Sequence, residues 1–192
     1  MFRRLLLLTT VGTLVAAGVA RSTTVIPPSF DALVSSANTI FVGEVMNVRA
    51  EWEVTPSGRA IITLVTFRVE EAWKGNLGAV TQLEFLGGEI GEIGMKVEGM
   101  PVFRLGQRDV LFVSDEVRTV SPLVGFMHGR MRVERDRVSG VDRVRTYDGR
   151  ALGSVAQIGP QRAAPSLASI TPMLLSDLES AVRSRAGAAR VR

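Results

Sequence analysis

Residues 59–72 read Arg-Ala-Ile-Ile-Thr-Leu-Val-Thr-Phe-Arg-Val-Glu-Glu-Ala, and this stretch decides the fold class. Side chains alternate between the two faces of a strand, so a period of two indicates extended chain. The apolar side chains of one face belong to Ile61, Val65, Phe67 and Val69. The other face becomes polar at Arg68 and Glu70. The pattern predicts a long strand.

Short apolar or alternating runs follow on both sides of this stretch, separated by turn residues such as Pro56-Ser57-Gly58 and Ser139-Gly140. Val110-Leu111-Phe112-Val113 is apolar on both faces, which is typical of a central strand that is covered on both sides. Many short strands with few helices predict an all-β barrel or sandwich. The predicted strands are Ile40–Val48, Arg59–Ala72, Val80–Leu86, Val102–Leu105, Asp109–Val113, Gly125–Arg135 and Val144–Tyr147.

Two helices are predicted, one at each end of the strand-rich region. Ser29 can cap a short helix over Phe30–Ala37. Thr171 can cap a second one that begins at Pro172, runs to about Arg185 and is ended by Gly187. Its apolar stripe can dock on the strands or on a partner. The predicted organisation is a signal peptide (1–22), a β domain (23–150), a linker (151–170) and a C-terminal helix with its tail (171–192).

The first twenty residues have the three parts of a secretory signal. Arg3 and Arg4 precede an uncharged apolar run that ends at Ala20, and small residues allow cleavage after Ala20 or after Ser22. As a helix the apolar run would span about 24 Å, less than the roughly 30 Å hydrocarbon core of a bilayer. We therefore expect a secreted or periplasmic protein without a membrane span after processing; an uncleaved anchor helix is the alternative.

The composition excludes several kinds of site. Among 192 residues there are no cysteines and one histidine, His128. Disulfides, thiol nucleophiles, thiolate metal sites and multi-histidine metal centres are therefore excluded. On the predicted strand, His128 shares a polar, solvated face with Arg130, Arg132 and Glu134, and no proton-transfer partner is evident. The sequence predicts no catalytic residue, no metal and no cofactor.

Two charged regions suggest ligands but have simpler interpretations. Glu89, Glu92 and Glu98 lie in a glycine-rich stretch that lacks the alternating oxygen ligands of a calcium loop. A flexible hairpin or Ω-loop at the barrel mouth is the better interpretation. Residues 130–150 are rich in arginine, but only Tyr147 offers the aromatic stacking that single-stranded nucleic acid needs. A solvated hairpin is favoured and no nucleic-acid partner is expected; anionic glycans or lipid head groups are the alternative.

The order of segments resembles a known family. The chain is similar, over about residues 23–135, to the inhibitory domain of the tissue inhibitors of metalloproteinases, an OB-fold barrel of the netrin-like class, and to bacterial exported proteins of unknown function. The resemblance implies a mostly antiparallel OB-like barrel with a short N-terminal helix. The stretches that carry it are Thr23–Pro28 (TTVIPP), Ala37–Val45 (ANTIFVGEV), Thr66–Gly75 (TFRVEEAWKG), Gly99–Phe103 (GMPVF), Gly106 and Val110–Val113 (VLFV).

The family's inhibitors bind the protease zinc through the α-amine and carbonyl of their first residue, and the second side chain enters the specificity pocket. The resemblance places Thr23 and Thr24 at those positions, followed by Val25, and cleavage after Ser22 would free Thr23. The implied function is an exported, non-catalytic binding domain that inhibits a secreted zinc protease through its mature N-terminus. The alternative is an envelope structural or assembly module that uses the barrel mouth and the C-terminal helix; a hydrolase built on His128 is a third class.

Overall fold

The structure is a computed structural model, and it describes residues 26–55, 58–115, 120–160 and 170–189. The signal peptide and the three candidate N-terminal residues, Thr23, Thr24 and Val25, lie outside the described residues. In chain order the elements are helix α1 (Phe30–Ser36), strands β1 (Thr39–Thr55), β2 (Gly58–Lys74), β3 (Val80–Leu86), β4 (Gly88–Ile90), β5 (Ile93–Met95) and β6 (Arg108–Val113), a 3₁₀ turn (Phe126–Gly129), β7 (Arg130–Arg135), β8 (Asp142–Thr146), a second 3₁₀ turn (Val155–Gln157) and helix α2 (Leu175–Ala189).

Six of the described strands form one antiparallel sheet in the order β3-β2-β1-β6-β7-β8, and β4 and β5 form a separate hairpin. The mostly antiparallel β architecture with a helix near each end is therefore confirmed. In the described residues β3 and β8 are the sheet edges, so strand pairing alone does not close a barrel. A short segment lies between the ends of β3 and β6: Leu86 N–H donates to the Val120 carbonyl, and Ser114 N–H donates to the Pro122 carbonyl.

Strands β1 and β2 form a hairpin of two 17-residue strands. The pairing register shifts at Ile40/Phe41, at Val42/Gly43 and at Val45/Asn47. Each such β-bulge bends its strand and increases the local twist. The bulges bend the half of the hairpin that joins the apolar cores, and residues 48–55 of β1 pair with residues 58–65 of β2 in regular register beyond them. We call this second part the far half of the hairpin.

Two apolar cores lie on opposite faces of the sheet, and the central strand β6 contributes to both. Val110 and Phe112 face the two helices, whereas Leu111 and Val113 face the other side. All four are at most 8% exposed. The prediction that Val110–Val113 is a central strand covered on both sides is confirmed.

Helix α2 docks on the sheet. Its apolar stripe therefore packs on the strands of this chain, the first of the two possibilities that the sequence allowed. Leu178 and Val182 are fully buried in the same core as Phe30, Leu33 and Val34 of α1. Arg183 bonds to Glu71 of β2, and Arg185 pairs with Asp31 of α1. The stripe therefore covers the protein's own core.

The predicted start and end of this helix are wrong. Residues 171–174 are not helical, because Met173 N–H donates to the Leu152 carbonyl and Val144 N–H donates to the Met173 carbonyl. Leu174 also bridges Arg143 of β8, so α2 begins at Leu175 and continues through Gly187 to Ala189. The first part of the predicted linker is packed as well, because Leu152 is 1% exposed.

Two predicted strands have a different conformation. Val102–Leu105 is irregular. The Arg130 side chain donates to the Val102 carbonyl, and Gly106 N–H donates to the Val45 carbonyl. The first part of Gly125–Arg135 is the 3₁₀ turn, since Gly125 and Phe126 have φ values of 64° and 57° that a strand cannot contain. The short helix near the N-terminus is confirmed, with the Ser29 hydroxyl accepting from Ala32 N–H at 3.2 Å. No described helix has the length and apolar character needed to cross a membrane.

Candidate functional site

A groove of about 730 Å³ lies between the far half of the β1–β2 hairpin, the end of β3 and the β4–β5 hairpin. Its lining is mostly apolar, with a few polar groups at the rim. The lining residues are Val48, Ala50, Thr63, Phe85, Leu86, Gly87, Gly88, Glu89, Gly94, Met95, Lys96, Val97, Met100, Pro101, Val102 and Phe103. We call this cavity the groove.

The glycine-rich stretch forms one wall of the groove, as a two-stranded hairpin, which is one of the two interpretations given above. Gly87 and Gly88 both have positive φ values, at 99° and 143°. A Cβ on Gly88 would lie 2.5 Å from the Thr63 hydroxyl oxygen, and a Cβ on Gly87 would lie 2.7 Å from the Met95 carbonyl. Gly88 therefore lets the hairpin approach β2 closely, whereas Gly87 allows close packing within the glycine-rich stretch itself. The Thr63 hydroxyl donates to the Gly87 carbonyl at 2.6 Å.

Aromatic rings form the inner end of the groove. Phe103 is 7% exposed and contacts Phe85 and Phe67, with ring centroids 5.0 and 5.4 Å apart. The guanidinium of Arg130 lies over the Phe103 ring, 4.3 Å from its centroid. A cation above the ring face is favourable, because the π face carries partial negative charge. Arg130 therefore holds the Phe103 ring in place at the wall of the groove.

Arg130 belongs to a buried ion pair. Its Nε donates to Asp109 Oδ1 at 3.0 Å, its Nη1 donates to the Val102 carbonyl at 2.7 Å, and the two side chains are 2% and 0% exposed. Burial raises the pKa of Asp109 above its usual value, and the attraction of Arg130 and Arg132 offsets part of this rise. The pair ties β6 and β7 to the segment that carries Phe103.

Sequence reasoning missed this pair and placed Arg130 on a solvated face. A signal was available: Asp109 directly precedes the apolar run Val110–Val113, which was predicted to be covered on both sides. A carboxylate in such a strand is buried, and a buried charge requires a partner. Phe103 was also assigned to a strand and not to a cavity wall.

His128 lies in the first 3₁₀ turn, so its predicted strand position is wrong. It is partly buried, and its ring meets Tyr147 edge-on with centroids 5.1 Å apart. Burial lowers the pKa of His128; Arg150 lowers it further and Asp148 partly offsets the shift. Its imidazole makes no side-chain hydrogen bond to another described residue, so the geometry gives it no orienting carboxylate.

The described part of the N-terminal segment starts at Ile26, which is 75% exposed. Pro28 packs against Gly125: a Cβ added there would lie 2.7 Å from the proline ring. Ser29 likewise lies against Gly159. The segment is thus held by close contacts with two loop glycines, beginning three residues after the candidate residues Thr23, Thr24 and Val25.

Across residues 26–55, 58–115, 120–160 and 170–189, no group of three or more histidine, aspartate or glutamate side chains is arranged to hold a metal ion. Glu89, Glu92 and Glu98 are exposed. The chain matches no protein-family model, no curated protein and no solved structure.

Proposed function

We propose that this chain is a non-catalytic binding domain whose binding site is the groove. The observation that carries the proposal is the cavity of about 730 Å³ with a mostly apolar lining, closed at its inner end by Phe85 and Phe103. Ligand sites of small domains are concave, mostly apolar and of roughly 300 to 1,000 Å³. Two features support a preformed site: Gly88 lets the hairpin pack closely against β2, and Arg130 of the Asp109–Arg130 pair lies over the Phe103 ring.

The proposal is tested by filling the groove with a side chain. Gly94 lines it, has no positive φ, and a Cβ there would make only ordinary contacts, the nearest being Glu89 Cγ at 3.6 Å. Gly94→Leu should therefore fold normally. The matched control is Gly78→Leu, in the exposed β2–β3 loop, where a Cβ would lie 3.8 Å from the nearest atom.

The readout is the fluorescence of a neutral apolar dye such as N-phenyl-1-naphthylamine. We expect the dye to bind the unmodified protein and the Gly78→Leu variant alike, and Gly94→Leu to bind it at least about ten times more weakly, because the added side chain occupies the site. Absence of dye binding by the unmodified protein, or equal binding by both variants, would refute the groove as the binding site.

Inhibition of a secreted zinc protease by the mature N-terminus is a second candidate. The packing of Pro28 on Gly125 and of Ser29 on Gly159 favours it, because these contacts fix the chain a few residues after Thr23 and Thr24. A fixed segment loses less entropy on docking. Protein starting at Thr23 should inhibit metalloproteases and protein starting at Ser22 should not; two inactive forms would exclude this function.

Export and an OB-like barrel are part of the proposal. The N-terminal sequence of the secreted protein tests export and distinguishes cleavage after Ala20 from cleavage after Ser22. Barrel closure is supported by the bulges of β1–β2 and by the segment that bonds to Leu86 and to Ser114. An assembly module would use the groove rather than the apolar stripe of α2, because that stripe is covered.

A further inference from the structure

A second cavity of about 340 Å³ adjoins the groove and is basic. It is lined by Val102, Arg104, Leu105, Gly106, Gln107 and Arg132. Val102 lines both cavities and is 75% exposed, and Leu105 is 69% exposed. An apolar surface therefore runs from the groove to the two arginines.

Arg132 differs from three arginines close to it in the sheet. Arg130, Arg145 and Arg108 each bond to a carboxylate. Within the described part of the chain, the Nε of Arg132 is buried and has no hydrogen-bond acceptor. Asp109 lies opposite Arg132 in the strand pairing and attracts it; its Oδ1 accepts from Arg130, and its Oδ2 is buried without a hydrogen-bond partner among the described residues.

Arg132 also lines the basic cavity, where an oxyanion can accept a charge-assisted hydrogen bond from its guanidinium. Arg104 adds a second positive charge at the exposed rim of this cavity. Among the described residues, Arg104 and Arg132 make no ion pair within 4.0 Å. At the hairpin end of the groove, Glu89 and Lys96 balance each other. The basic cavity is thus the end of this surface that favours an anion.

We propose that Arg132 and Arg104 bind the anionic group of a single-chain amphiphile whose apolar chain passes over Val102 into the groove. The inference rests on the proposed function of the groove and adds the chemical class of its ligand. The head group is a carboxylate, sulfate or phosphate, since each offers oxygens to a guanidinium in the same geometry.

Titration calorimetry below the micelle concentration tests the proposal. The probes are decanoate, decyl sulfate and decyl phosphate, with decanol as the chain without a charge and acetate as the charge without a chain. We expect the three anionic amphiphiles to bind at least about ten times more tightly than decanol, and acetate to bind too weakly to measure. The order of the three anions identifies the preferred head group. Equal affinity for decanol and decanoate would overturn the proposal.

Variants locate the head group. Arg132→Gln should weaken decanoate about tenfold and leave decanol unchanged, and Arg104→Gln should weaken decanoate about threefold, because its side chain is at the solvent-exposed rim. Arg150→Gln is the control, since this exposed arginine pairs with Asp148 outside both cavities. Equal losses in all three variants would show a general charge effect and overturn the assignment. Arg104→Gln lies at the surface, so its result stands even if Arg132→Gln folds poorly.

The groove variant separates the two proposals. If Gly94→Leu abolishes binding of decanol and decanoate while Arg132→Gln changes neither, the groove stands and the head-group site is refuted. If none of the probes binds the unmodified protein, both are refuted. A phenylalanine-rich acidic peptide that binds at least as tightly as decanoate, and competes with it, would overturn the amphiphile in favour of a protein partner.

Discussion

The two faces of the sheet share their strands but are covered to different extents. On the helix side, α1 and α2 cover the core completely, and Leu178 and Val182 are 0% exposed. On the groove side, the core contains phenylalanine rings and a buried ion pair, and it opens into two cavities. The comparison assigns stability to the covered face and binding to the open one, where charge and cavity volume are kept at a cost in stability.

The comparison predicts that breaking the ion pair has the largest effect. Asp109→Ala leaves Arg130 buried without its carboxylate and should lower the free energy of unfolding by about 3 to 5 kcal/mol. Urea denaturation measures the loss. The double variant Asp109→Leu/Arg130→Met removes both charges and should recover most of it. A single variant as stable as the unmodified protein would show that the pair is not a structural tie.

A cavity on the covered face should cost slightly less. Leu178→Ala removes a fully buried side chain between α2, α1 and the sheet, and should lower the free energy of unfolding by about 3 kcal/mol. Ser180→Ala, on the exposed face of the same helix, is the control. Dye binding in the groove should be the same in both variants under native conditions. Loss of dye binding in folded Leu178→Ala would contradict the division of roles between the faces.

The pH dependence from His128 should be the smallest effect. Its folded pKa is lowered from 6.5, mainly by burial, so the unfolded chain binds the proton more tightly. Its contribution to stability is present above pH 6.5 and is lost as the pH falls through the folded pKa. His128→Gln should flatten the stability curve between pH 7 and 5 in urea titrations. An unchanged slope would show that this imidazole titrates normally.

The sequence predicted the local pattern well where one physical signal dominates. Alternation gave Val80–Leu86 with its exact bounds, and the Ser29 cap gave the start of α1. Both depend on neighbours in the chain. The start of α2 was predicted wrongly from its capping signal at Thr171-Pro172. Met173 instead makes backbone hydrogen bonds to Leu152 and Val144, which are distant in the sequence.

The candidate site was predicted in part. The glycine-rich stretch from Gly87 to Gly99 was placed in a hairpin or loop at the mouth of the β domain, and it forms a wall of the groove. The cavity itself, the role of Phe103 and the position of Arg132 at the basic cavity depend on which strands pair. That pairing is not readable from alternation, because alternation fixes the face of a residue and not its neighbours across the sheet.

Mapping of bound decanoate by amide chemical shifts tests the central claim most directly, because it reports the site without any substitution. We expect the changes to concentrate at residues 87–103, at Arg104 and at Arg132, with none in α1 or α2. Changes that centre on Leu178, Val182 or Leu33 would place the ligand on the helix side and contradict the assignment of binding to the open face.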